Sequence, residues 1–339
     1  MPVTQTEQIV TWTDQLHSQS FTWAAFQFAF QAKEHSFLPE YKGSALRGGF
    51  GHSFRKVCCT MQWDQQCNTC FLNQSCSYAY IFETPKVSGM NLEHQADNLP
   101  HPFVIEPPAT EQTEFQAGEE FDIGLVLFGK SVSFLPYFVY TFDQMGRMGL
   151  GKGKGRFELT KAYARDDLAF ETKTEIYDSH SQMLNGNFKV WKLEHILTRQ
   201  QWNNGNQLHL NLQTPTRILN QNRIVNEVPF DLLMRNLLRR ISLLGRIHCE
   251  SNWDLPYKEI LDQAASQVQL VASQTSWYDW ERYSNRQKTR MNMGGIVGEL
   301  VYEGDLAPFL PLILLGQFTH IGKNTTFGLG KYVIGIGDE

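Results

Sequence analysis

The sequence holds no run of the roughly 18 apolar residues that a membrane-spanning helix needs. Its N-terminal stretch, Met1 to His17, is polar, with neither a basic start nor an apolar core. No secretory leader is therefore expected, and the chain reads as cytosolic, with no membrane partner. A surplus of positive charge is missing too: 30 Lys and Arg against 35 Asp and Glu leave a net charge of −5. That excludes a broad, indiscriminate coat for nucleic acid and leaves room only for a local basic groove. Cysteine is scarce, with 6 in 339 residues, and in a cytosolic chain those few point to a metal rather than to disulfides. What remains is globular: 42% hydrophobic, 19% charged and 13% aromatic. The length suffices for two domains with full cores.

One stretch organises the rest: His320-Ile321-Gly322-Lys323-Asn324-Thr325-Thr326-Phe327-Gly328-Leu329-Gly330-Lys331. An apolar segment, Pro308 to Phe318, precedes it and reads as a helix; Tyr332-Val333-Ile334 follows and reads as a strand. Glycines at such a junction allow positive φ and close approach of a ligand. Successive N–H groups there can form an anion-binding nest, to which the lysines add charge. A helix C-cap followed by a bulge would use the same residues. A second copy favours function. Leu135 to Met148 is apolar and runs into Gly149-Leu150-Gly151-Lys152-Gly153-Lys154-Gly155-Arg156, then Phe157-Glu158-Leu159. Helix, basic Gly-rich loop and strand thus recur about half a chain apart, as in two related domains. Gly146 to Lys152 fits GxxxxGK, but Gly153 stands where a phosphate loop needs Ser or Thr, so no NTPase is read here. Basic residues cluster at Lys152, Lys154, Arg156 and Lys161, and again at Arg282, Arg286, Lys288 and Arg290.

Trp23 to Phe30 alternates as a first strand, and Ser44 is a candidate N-cap for a helix to about Cys58. Leu46, Phe50, Phe54 and Val57 form its buried stripe; His52 and Lys56, spaced i and i+4, lie on the opposite side. Gly48, Gly49 and Gly51 each weaken that helix by roughly 1 kcal/mol, which suggests close approach by a neighbour or ligand. Further strands are expected at Pro102 to Ile105, Phe121 to Phe128 and Phe157 to Tyr163, closing a domain over 1–165. Residues 166–206 read as connector. The second domain, 207–339, has a strand at Leu208 to Leu212 and a helix from Pro229 through the stripe ending at His248. A helix follows at Tyr257 to Ser273, then strands at Trp277 to Tyr283 and Met291 to Tyr302, and the final helix, loop (320–330) and strand. The fold class is α+β: two tandem ferredoxin-like (RRM-like) domains with antiparallel sheets. A small cysteine-rich insert lies at about 58–80. There Cys67-Asn68-Thr69-Cys70 has the spacing for two thiolates on one metal, completed by Cys76 and one of Cys58 or Cys59, with Cys59 favoured. Structural zinc is expected, with an iron–sulfur cluster as the alternative. Cys249 stands alone and reads as core.

Gly43-Ser44-Ala45-Leu46-Arg47-Gly48-Gly49-Phe50-Gly51 resembles the G-x-x-L-R-G-x-[FY]-G segment of the RAMP superfamily of CRISPR systems. Cys67 to Tyr78, Gly294 to Gly298 and the His320 to Gly330 loop resemble its repeat-RNA processing endoribonucleases, a branch also found fused to reverse transcriptase–integrase proteins. The resemblance covers about 20–165 and 207–337. It implies metal-independent cleavage of CRISPR precursor RNA by the 2′-OH, leaving a 2′,3′-cyclic phosphate and a 5′-OH. That chemistry needs a base, an acid and positive charge on the transition state. Carried over residue by residue, it implicates His52 with Tyr41 and Lys56 or Lys42. His320 is the rival histidine, which could instead hold the loop through a backbone hydrogen bond. The loops would cradle RNA, placing Arg47, Lys152, Lys154, Arg156, Arg286, Lys288 and Arg290 at the interface with Gly322, Lys323, Gly328, Gly330 and Lys331. Phe327 either stacks on a base or anchors the loop. A RAMP-type module that holds repeat RNA uncut, as a subunit of a CRISPR effector or spacer-acquisition complex, would look much the same. Whether a His and a Lys converge on one phosphate separates the two.

Overall fold

The computed structural model describes residues 11–61, 65–84, 99–169, 171–198, 206–284 and 289–337. A short helix α1 (Trp12–His17) leads into strand β1 (Thr22–Ala32), where Trp23, Phe26, Phe28 and Phe30 are all buried. After β2 (Ser36–Phe37) comes α2 (Gly43–Cys58), then β3 (Phe103–Glu106), β4 (Glu114–Phe115), β5 (Glu120–Phe128), α3 (Leu135–Met148) and β6 (Phe157–Arg165). The order β3-β5-β1-β6 is antiparallel throughout, with β1 at the centre pairing Phe28 to Ile123 on one side and to Ala162 on the other. Alternation in β1 serves two cores. Ala24, Phe26, Phe28 and Phe30 face α2 and α3, whose Phe50, Phe54, Phe138 and Phe142 interleave with them. Trp23 and Ala25 face the second half of the chain.

Residues 166–206 are not a plain connector. β7 (Lys173–Asp178) pairs with β6, β8 (Met183–Leu184) with β7, and β9 (Trp191–Lys192) returns to β1 before α4 (Leu193–Leu197). The polar composition misled because β7 is an outer strand with Ile176 as its one buried residue.

The second half repeats the pattern. β10 (Gln207–Thr216) is followed by the hairpin β11 (Leu219–Asn220) and β12 (Arg223–Ile224), then α5 (Phe230–His248) and α6 (Tyr257–Gln267). Next come β13 (Val268–Tyr278), a hairpin of β14 (Glu281–Ser284) and β15 (Thr289–Asn292), β16 (Gly295–Gly304), α7 (Leu310–Thr319) and β17 (Tyr332–Gly337). Its sheet order, β13-β16-β10-β17, is that of β3-β5-β1-β6. In each, the second, third, first and fourth strands stand side by side, with a helix after the first and third: the ferredoxin-like arrangement, twice. α6 stops at Gln267, short of the expected Ser273, because Val268 onward pairs with β16 across eleven residues. Among the described residues no helix is long and apolar enough to cross a membrane.

Candidate active site and nucleic-acid interface

α2 begins at Gly43, with Lys42 as its cap and no side-chain cap bond; Ser44 does not take that role. Its buried stripe holds Leu46, Phe50 and Phe54. Gly43 and Gly51 are there for contact: a Cβ on Gly43 would lie 2.0 Å from the Phe327 carbonyl oxygen, and one on Gly51 2.1 Å from the Phe82 ring. A Cβ on Gly48 would meet no atom within 4 Å, and its backbone opens to solvent. With His52 and Lys56 it forms an exposed i, i+4, i+8 stripe.

The first Gly-rich loop closes on that stripe. Gly149, Gly151 and Gly153 take φ of 83°, 71° and 83°, and Lys154 takes 56°. The loop is pinned by bridges from Leu150 to Gly155 and from Lys152 to Phe37. These bonds raise Lys152 and Lys154 into solvent. Lys56 Nζ lies 3.5 Å from Met148 Sδ, at the end of α3. Partial burial, then the charges of Lys56 and Lys154, push the His52 imidazolium below its ordinary pKa. A histidine and two lysines therefore meet on one open face. Arg156 turns away, its guanidinium held by Glu34 at 3.1 Å.

Other expected site residues are placed differently. Tyr41 donates its hydroxyl to the Phe327 carbonyl at 2.8 Å and packs on Trp280, with burial raising its pKa far out of reach of proton transfer. Lys42 is 1% exposed, and its ammonium donates to the carbonyls of Glu40 and Thr110 at 3.0 and 2.7 Å. Both pin the entry of α2. His320 is fully buried, with Nδ1 3.1 Å from the Leu329 carbonyl and Nε2 3.2 Å from Glu106 Oε1. Burial lowers its pKa, opposed by Glu106. A histidine so enclosed cannot reach a phosphate; it closes the loop.

That second Gly-rich loop is packed, not open. From Thr325 to Gly330 every residue is buried, leaving Lys323 exposed. Gly322, Gly328 and Gly330 have φ of 81°, 80° and 75°, and their missing side chains make room for the Arg217 carbonyl, Pro107 and the Ile321 carbonyl. The glycines admit protein, not ligand. Phe327 anchors the loop, with the Arg47 and Arg282 guanidinium carbons 5.2 and 4.6 Å from its ring centroid. Arg47 Nε also donates to Thr326 Oγ1 at 3.4 Å. Lys331 reaches Glu106 at 3.1 Å. Arg286 and Lys288 lie outside the described residues. Arg290 sits on β15, its side chain likewise outside the description.

Sequence reasoning missed Glu106. It is 3% exposed and joins Lys331 and His320 of the loop to Arg165 of β6, 3.4 Å away. Burial alone would raise its pKa, but Lys331 and Arg165 outweigh that and hold the carboxyl well below the usual range. A lone Glu ending the strand Phe-Val-Ile-Glu, ahead of two prolines, was the only available signal.

Cys58, Cys59, Cys67, Cys70 and Cys76 line one cavity of about 30 Å³, all half-buried and none in a disulfide. Burial, then Cys76 and Cys59, push the Cys58 thiol up to about 12. The donor set, cysteine sulfurs gathered round one small cavity, suits zinc in type and number. Among the described residues, no three metal-binding side chains already stand at ligand distance.

Residues 210–332 match the family model described as CRISPR-associated endoribonuclease Cas6, and residues 21–188 match one described as an N-terminal domain. An uncharacterized protein of Archaeoglobus fulgidus is 28% identical over 114 residues, 33% of this chain and 37% of that protein; the match spans little over a third of the relative's length. Among solved structures, a Cas6 product complex superposes with a TM-score of 0.55 at 12% identity, covering 92% of this chain and 99% of that one. Thermus thermophilus Cas6 gives 0.51 at 12%, over 93% and 98%. A partial Cas6-RT-Cas1–Cas2 complex gives 0.55 at 10%, over 94% of this chain and 46% of that one. At such identities the likeness is one of fold.

Proposed function

We propose that the chain is a CRISPR-associated endoribonuclease, as the match of residues 210–332 to that family's model supports, and that it binds CRISPR precursor RNA and cuts it within each repeat. The observation that carries this reading is the exposed stripe of Gly48, His52 and Lys56 on α2, with His52 under the charges of both Lys56 and Lys154. Such a face admits a phosphodiester and surrounds it with what in-line attack by the 2′-OH requires.

His52 is neutral near pH 7, since burial and two lysines disfavour its charged form. Neutral imidazole takes the 2′-OH proton as O2′ bonds to phosphorus and the P–O5′ bond breaks. The imidazolium so formed is destabilised by the same lysines and gives a proton readily to the departing O5′. Lys56 and Lys154 meet the extra negative charge on the pentacoordinate phosphate. The ends are a 2′,3′-cyclic phosphate and a 5′-OH, and no metal takes part in these proton transfers.

A structural zinc is part of the same proposal, held by Cys67, Cys70, Cys76 and Cys59. Four thiolates would leave it no open position, so its contribution is to fold the insert. Metal analysis of the purified protein tests this, with Cys67→Ser and Cys70→Ser expected to lose the ion and lower the melting temperature.

The function is tested by incubating the full chain with labelled CRISPR repeat RNA in excess EDTA, with circular dichroism alongside to follow folding. Site-specific cleavage leaving a cyclic-phosphate end supports the enzyme. Tight binding of repeat RNA by folded protein, without cleavage, would leave an RNA-holding module of a CRISPR effector or reverse transcriptase–integrase assembly.

A further inference from the structure

Among the described residues, three buried donors around the second Gly-rich loop have no protein acceptor: Arg217 Nε, Trp280 Nε1 and Arg282 Nε. They are close neighbours. Arg217 donates Nη1 to the Gly294 carbonyl, and its own carbonyl accepts from Lys323 N at 3.1 Å. The Trp280 carbonyl accepts from Met293 N at 2.9 Å, and its ring packs against Tyr41 and the small cluster of Met293, Phe327 and Leu329. Arg282 stands over Phe327, whose ring Arg47 also approaches.

Leaving a buried N–H unmet costs about 1–3 kcal/mol. Three in one seam, all donors and two of them cationic, is an arrangement that an acceptor-only anion completes. Among the described residues neither Arg217 nor Arg282 has a carboxylate partner, and burial lowers the pKa of both. Asp279, on the same turn, already accepts from Asn292 at 2.7 Å. Arg47 of α2 borders the seam through the Phe327 ring, and His52, five residues on, lies about 7.5 Å along the helix and about 140° round it.

We propose that Arg217, Trp280 and Arg282 form a second phosphate site, which holds an RNA phosphodiester other than the scissile one and so sets the register of the strand. The proposal rests on the RNA-processing reading. It assigns the β14–β15 hairpin and the packed loop a positioning role, and none in proton transfer.

The test uses the full chain and repeat RNA carrying one uncharged methylphosphonate linkage at a time near the cut. Wild type should lose about tenfold in affinity at one linkage outside the scissile one, the worth of about 1.4 kcal/mol. Arg282→Gln should bind unmodified RNA about tenfold more weakly and no longer sense that linkage. Its salt dependence should fall by about 0.7 in log–log slope, the value for one phosphate on a single strand. Trp280→Phe, which keeps the ring and removes the N–H, should lose part of the same discrimination, while Arg282→Lys should restore the salt slope. A merely structural role would leave slope and linkage preference unchanged, and that result overturns the proposal. Free phosphate competing at millimolar level in wild type but equally in Arg282→Gln would also overturn it. If wild type fails to bind repeat RNA at all, the RNA-processing reading falls first and takes this one with it.

Discussion

Glu106→Gln should loosen the joint between the two ferredoxin-like halves. The carboxylate is 3% exposed and lies 3.1 Å from Lys331, 3.2 Å from His320 and 3.4 Å from Arg165. Glutamine keeps the shape and one acceptor but removes the charge, leaving cations without their anion. Breaking a buried pair in this way costs about 3–5 kcal/mol. Lys331 and Arg165 are partly exposed and can relax toward water, so the lower end, about 3 kcal/mol, is expected. Urea unfolding followed by tryptophan fluorescence measures it. In a Lys331→Met background the same change should cost less by about 1–3 kcal/mol, since the two act as one unit. Because the folded carboxyl is held below its unfolded value, this stability is present above the ordinary carboxylate range and lost as pH falls through the folded pKa. A loss below about 1 kcal/mol in Glu106→Gln, or strict additivity with Lys331→Met, would refute the clamp.

Acid should act earlier through two other groups. His101, pushed down to about 3, and His248, to about 4, are held neutral, His248 buried and His101 half-buried between the Arg47 guanidinium and the Thr84 hydroxyl. Unfolding frees both to take protons, so between pH 7 and pH 5 each should withdraw about 2 kcal/mol of stability, and His101→Gln should flatten that slope. Gly43→Ala drives a methyl against the Phe327 carbonyl and should destabilise by about 2 kcal/mol or more, whereas Gly48→Ala, in open space, should stabilise α2 by about 0.5–1 kcal/mol; equal signs in denaturant melts would contradict the packing described. Lys154→Ala removes one of two charges acting on His52, so the rising limb of the pH–rate profile should move to higher pH. An unmoved limb would separate His52 from that loop.

The doubled ferredoxin-like architecture was legible because periodicity and burial coincide in long elements. Leu135–Met148 carries its own apolar face, and the phenylalanines of β1 alternate as a strand must. Where local and tertiary signals part, the sequence is a poor guide. Residues 173–178 look like linker because only one side chain is buried, yet they extend a sheet. The second Gly-rich loop has the composition of a phosphate cradle, but its glycines make room for Arg217, Pro107 and Ile321. Tyr41, Lys42 and His320 have side chains suited to catalysis, and burial with backbone partners commits them to structure. Only His52 and Lys56 could be put on one face by arithmetic alone. That Lys154 joins them depends on how the first loop is pinned to β2, a contact no spacing encodes.

The central claim is that His52, and not His320, moves the protons. Single-turnover cleavage of repeat RNA by wild type, His52→Ala and His320→Ala, at saturating enzyme and with each variant's folding measured in parallel, tests it most directly. The account predicts that His52→Ala folds normally, binds RNA and loses cleavage by about a hundredfold or more, while His320→Ala is less stable but cleaves in proportion to the folded protein present. Full cleavage by His52→Ala, or a folded His320→Ala that binds RNA and does not cut it, would contradict the site described.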